Sequence, residues 1–142
     1  MKKLLAILLV MITLVAGCNR AAEAPAPVNH ESIVKAFFEA SNSGDVEKCL
    51  GLLSDDVTVR QDPPGVTIQG KVQYETVLRE NIRLHRQHTI TTPYKVENDK
   101  VTVETKVTGD DFRSLGMDSI RISYTLQVRD GIIASIMSVP DS

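Results

Sequence analysis

The chain opens on an uncharged apolar run, Leu4 to Ala16, and then loses all hydrophobic pattern over residues 19–28, an Ala/Pro-rich stretch. A helical period sets in at Asn29, a good N-cap, and places Ile33, Val34, Phe37 and Phe38 on one face of a first helix running to Ser43. Asn42-Ser43-Gly44 stops it. Asp45 caps a second, shorter helix through Leu53, with Val46, Cys49, Leu50 and Leu53 on its apolar face and Ser54-Asp55-Asp56 closing it. Val57-Thr58-Val59 and Val66-Thr67-Ile68 are short extended segments. They flank Asp62-Pro63-Pro64-Gly65, a turn that no helix or central strand tolerates. After Gly70 a third helix runs to about His85, with Tyr74, Val77, Leu78, Asn81 and Ile82 along one side and Arg79, Arg83 and Arg86 along another.

From Thr89 the period changes to two. Thr89–Glu97 and Lys100–Thr108 flank Asn98-Asp99 as a hairpin, with Val101, Val103, Thr105 and Val107 on the buried face. Gly109 to Gly116 is polar and reads as a loop. Ser119–Arg129 alternates again, turning Ile120, Ile122, Tyr124, Leu126 and Val128 to one side, and Asp130-Gly131 leads back into Ile132–Val139. Three helices followed by a four-strand antiparallel meander predict a single α+β domain over residues 29–142. Phe37, Phe38, Val77, Ile82, Ile122, Leu126 and Ile136, where the two periods converge, are its expected core.

Charge gives the first eighteen residues their meaning. Lys2 and Lys3 precede the apolar run, and Leu14-Val15-Ala16-Gly17 leads directly into Cys18. This is the layout of a secretory signal peptide, residues 1–17, and its end resembles the lipobox of bacterial lipoproteins. That resemblance implies lipidation at Cys18, a tether over residues 18–28, and a partner in the lipid bilayer on the extracytoplasmic side of a cell envelope. Asn19, standing where an Asp would retain the protein, implies the outer membrane of a Gram-negative host. Removing Lys2 and Lys3 from 16 basic residues leaves 14 against 18 acidic ones, a net charge of −4 for the mature chain. Such a balance argues against a nucleic-acid partner, which is held by phosphate neutralisation. Cys49 has no intrachain partner once Cys18 carries lipid, and its helical face places it in the core.

The order of these elements, with the phrases Phe37–Val59 (FFEASNSGDVEKCLGLLSDDVTV), Gly70 opening the third helix, and Val128–Val139 (VRDGIIASIMSV), resembles the nuclear transport factor 2-like superfamily, including its SnoaL-like polyketide-cyclase and ketosteroid-isomerase branches. The resemblance covers residues 30–139. It implies a cone: a strongly curved antiparallel sheet wrapped around three N-terminal helices, enclosing an apolar cavity. Expected walls are Phe37, Tyr74, Tyr124 and Met137, with the mouth near Asp62. A homodimer formed through the sheet is the common assembly of such relatives.

The isomerase branch needs a carboxylate base and two acidic donors aimed at the substrate carbonyl. Asp62 falls in the segment corresponding to the base, one residue further along; the favoured reading is an Asp initiating a Pro-containing turn. The donors do not carry over. The tyrosine position of the first helix is Phe37, and the buried acid falls at Ser123 or Tyr124. Ketosteroid isomerisation is therefore not expected, and a cyclase, dehydratase or isomerase would rest on Asp62 with Tyr74, Tyr124 or His88 as helper. His85 and His88, three residues apart, bring no third metal ligand, and equally complement a helix C-terminus. Asp110, Asp111 and Asp118 lack the spacing of a calcium loop. No metal or other cofactor is called for. Arg79, Arg83 and Arg86 are read as a solvated face or a contact for anionic headgroups. The favoured function is a lipid-anchored binder of a small apolar ligand or a protein partner.

Overall fold

The computed structural model describes residues 28–141. Helix α1 (His30–Ser43) begins where Asn29 Oδ1 accepts the Ser32 N–H at 3.1 Å. It ends at Gly44, whose φ of +74° is the left-handed cap that lets its N–H return to Ala40 and Ser41 carbonyls. Asp45 caps α2 (Val46–Gly51) through the Lys48 N–H at 3.0 Å. The second helix is shorter than its pattern predicts, and strand β1 (Leu53–Gln61) starts at once, with Leu53 and Val57 both buried in the sheet. Then come β2 (Val66–Gln69), α3 (Lys71–Arg83), β3 (Gln87–Ile90), β4 (Lys95–Glu97) and β5 (Lys100–Thr108). A short helix, α4 (Asp110–Ser114), precedes β6 (Ile120–Arg129) and β7 (Ile132–Pro140).

Three departures from the sequence pattern have local causes. Thr89–Glu97 is two strands rather than one, both paired to β5, because Pro93 has no N–H to give the ladder. Gly109–Gly116 holds a turn of helix rather than a loop: Phe112 is buried there and supplies the apolar anchor. The third helix stops at Arg83, two residues early, and His85 takes a φ of +49° that turns the chain into β3.

The sheet has seven strands in the order β2-β1-β7-β6-β5-β3, with β4 also on β5. It is curved and does not close. It is also mixed rather than wholly antiparallel, because β1 lies parallel to β7. A four-strand meander therefore understates it, since β1 and β2 extend the sheet beyond the last strand. Register shifts in β1 opposite β7, and in β7 opposite β6, are bulges that increase local twist and bend the strands. The main core joins Val34, Phe37 and Phe38 of α1 to Val101, Val103, Leu126, Ile133 and Ile136 of the concave face. Cys49 is among them, 1% exposed, and burial pushes its thiol up to about 11, which keeps it an unreactive core residue. Val77 and Ile82, expected in the core, are half-buried.

Candidate functional site

Helix α3 does not lie flush on the sheet. Between them is a cavity of about 180 Å³. Its apolar walls include Val59, Ile68, Val77, Ile122 and Ile136, and its polar groups are Gln61, Tyr74, Asn81, Arg86, Tyr124 and Ser138. Strand alternation explains most of this set. Val59 and Gln61 share one face of β1, Ile122 and Tyr124 one face of β6, and Ile136 and Ser138 one face of β7.

The same alternation moves two expected residues out. Asp62 continues the outer face of β1, as Arg60 does, and its backbone N–H completes the ladder to Ser138 O at 3.0 Å. Its carboxylate, about half exposed, pairs with Arg60 at 3.1 Å and is not among the cavity walls. Met137 follows the inward-facing Ile136 and is 41% exposed on the other side of β7. Phe37 is 4% exposed within the core, edge-on to Phe38, and does not reach the cavity. Tyr74 and Tyr124 line it as expected. Cys18 lies outside the described residues, as do the expected signal peptide, residues 1–17, and nearly all of the expected tether.

Both tyrosine hydroxyls hold their protons far above neutrality. Burial raises each, and for Tyr74 the neighbouring Tyr124 and Cys49 add to it. Next to Tyr124 an aromatic cluster closes the inner end: its ring is 5.3 Å from Phe38 and 5.7 Å from His88. Burial, assisted by the charge of Arg86, lowers His88 to about 4, so its imidazole is neutral at pH 7. Asn42 of α1 fixes the His88 backbone from both sides, donating to its carbonyl and accepting its N–H, each at 2.8 Å. His85 instead points to solvent and bonds Asp110 at 2.6 Å. The two histidines diverge because β3 has begun between them.

Arg86 is the largest departure from the sequence reading. Its two predecessors in the arginine stripe are exposed and paired on the helix, Arg79 with Glu75 and Arg83 with Glu80, both at 2.6 Å. Arg86 lies beyond the end of α3 and turns inward. Its Nη1 donates to Asn81 Oδ1 at 2.9 Å and its Nη2 to Asp111 Oδ2 at 2.6 Å. The guanidinium carbon stands 5.1 Å from the centre of the Phe112 ring. That hydrogen bond from Arg86 is the main reason the Asp111 carboxyl lies below its ordinary range. The signal available in the sequence was the Asp110-Asp111 pair, which becomes meaningful once β3 and β5 bring Gly109 beside Arg86.

A model of the SnoaL-like domain matches residues 34–136. The chain belongs to the SnoaL-like domain family. The matched span runs from α1 into β7 and takes in every wall of the cavity except Ser138. Solved structures show the same fold. A candidate ketosteroid isomerase from Kribbella flavida superposes with a TM-score of 0.70 at 18% identity, over 80% of this chain and 78% of its own. A candidate polyketide cyclase from Sinorhizobium meliloti does so with a TM-score of 0.65 at 23% identity, over 75% and 93%. A nuclear transport factor 2-like protein of unknown function from Cytophaga hutchinsonii gives 0.67 at 14%, over 83% and 95%. No curated protein matches the sequence. At these identities the likeness is one of fold, and the chemistry of this SnoaL-like domain has to be read from its own cavity.

Proposed function

We propose that this SnoaL-like domain binds a small, mainly apolar molecule in the cavity under α3 and does not transform it by proton abstraction. One observation carries the reading: among the described residues, no carboxylate and no imidazole lines the cavity. Its ionisable groups are Tyr74 and Tyr124, whose hydroxyls burial keeps protonated at neutral pH, and the guanidinium of Arg86. A wall of donors can orient an oxygen function, but a general base must be within hydrogen-bond reach of the proton it takes. The nearest sequence candidate, Asp62, is engaged by Arg60 on the outer face of the sheet. A chamber that combines aliphatic walls with a few convergent donors supports the binding reading.

The binder is further proposed to be held at a membrane by lipid on Cys18, a reading supported by Leu14-Val15-Ala16-Gly17-Cys18 and the run before it. Among the described residues no helix is long and apolar enough to cross a membrane. Cys18→Ser is expected to abolish incorporation of labelled fatty acid; unchanged labelling would contradict the anchor. The binding function is tested by native mass spectrometry of the chain purified from its own cells. A retained small molecule, lost on Val77→Trp, is the expected result. A chain that carries nothing and takes up no small apolar compound would contradict it.

A further inference from the structure

We propose that the molecule in the cavity carries a carboxylate, and that Arg86 is the residue that selects it. The inference rests on the cavity being a binding site and names the class of ligand. Arg86 places a permanent positive charge on the wall of a chamber whose other polar groups, Gln61, Tyr74, Asn81, Tyr124 and Ser138, are uncharged. Its geometry is fixed on two sides, by Asn81 at 2.9 Å and by Asp111 at 2.6 Å, and Phe112 lies against it. A guanidinium has five N–H donors. Those two bonds leave a second N–H on each of Nη1 and Nη2 without an acceptor among the described residues, while Nε is buried on the side of the ion pair together with the unpaired Asp111 Oδ1. Donors of a charged group that lack acceptors in a partly buried site favour a charged acceptor, so an incoming oxyanion gains from meeting the Nη donors.

The compensating charge does not block this role. Asp111 is not among the cavity walls, so the pair presents its cationic partner to the chamber and keeps its anionic partner behind. Tyr74 and Tyr124 supply further protonated hydroxyls from α3 and β6. A ligand ammonium would meet a guanidinium and no carboxylate, whereas a carboxylate meets charge and donors together. Size narrows the class. The cavity, about 180 Å³, is a little larger than an engineered apolar cavity of roughly 150 Å³ that admits benzene. A single ring or a short branched chain with one carboxylate fits that space, while a fused polycyclic skeleton does not.

Calorimetric titration of the purified full-length chain with benzoate, benzyl alcohol and benzylamine tests this directly, since the three share a ring and differ in head group. Benzoate is expected to bind roughly tenfold or more tightly than benzyl alcohol, and benzylamine to bind more weakly than either. Arg86→Gln should lower benzoate to the level of benzyl alcohol. Because Arg86 also anchors Asp111, a second variant is needed that keeps the guanidinium. Asp111→Asn preserves shape and removes the competing charge, so the ratio of benzoate to benzyl alcohol affinity should rise several-fold. Equal affinities for benzoate and benzyl alcohol in both the parent and Asp111→Asn would overturn the carboxylate assignment and leave the cavity as a neutral-ligand site. Absence of binding by all three to the folded chain would overturn the cavity reading and this inference with it.

Discussion

Gly109 is where a single atom matters most. Its backbone is extended, so no special φ calls for glycine; the reason is space. A Cβ there would stand 2.6 Å from Asp111 Oδ1 and 3.0 Å from Arg86 Cγ. Gly109→Ala must therefore push apart the pair that sets the polar end of the cavity. A loss of about 1–3 kcal/mol in urea unfolding is expected, as for overpacking generally. His88 makes a second prediction at this scale. Its folded value near 4 lies below the ordinary 6.5. Between those limits the unfolded chain binds more protons, so stability rises with pH there and falls as pH drops from 6.5 towards 4. The span corresponds to a few kcal/mol at most. Around the imidazole stand Phe38 and Tyr124, with the charge of Arg86 opposing its protonation. Urea midpoints measured across that window should slope in the parent and flatten in His88→Phe.

The elements were legible wherever one period held for several turns or pleats. Helix α1 and strands β5 and β6 follow their patterns, and Val101, Val103, Thr105 and Val107 are buried together as alternation requires. The misses come from short-range events that periodicity does not register. Pro93 divides a strand, and a single apolar residue, Phe112, is enough to hold five residues as helix. On β7 the expectation that both Ile136 and Met137 face inward conflicts with the alternation of a pleated strand, where consecutive residues point to opposite sides. Asp62 fell to the same rule, since it shares parity with Arg60 and not with Gln61. The best test of an element is α1 itself. Phe38 is 3% exposed and touches the rings of Phe37, His88 and Tyr124, so it ties α1 to β3 and β6 at once. Phe38→Ala is expected to cost about 3–5 kcal/mol in denaturant unfolding; a loss under about 1 kcal/mol would show that these contacts do not carry the helix.

For the whole molecule, the superfamily resemblance supplied what periodicity could not: that the strands curl around the helices and leave room beneath the third one. The pairing of β1 with β7 is long-range, joining Leu53 to Ile133 in register, and no local signal encodes it. The cavity's contents were only partly legible, because Tyr74 and Tyr124 sit within periodic elements whereas Arg86 lies just past one. Its inward turn changes the character of the site from an apolar chamber beside a carboxylate to an apolar chamber walled by donors. The central claim is that small molecules enter this space and meet no base. Amide chemical-shift mapping of the ¹⁵N-labelled chain during titration with benzoate tests it most directly. The amides of Tyr74, Val77, Tyr124 and Ile136 should shift saturably with one affinity, while those of Asp62 and Met137 stay in place. Shifts centred on Asp62 and the outer face of β7, or no saturable shifts at all, would contradict the account.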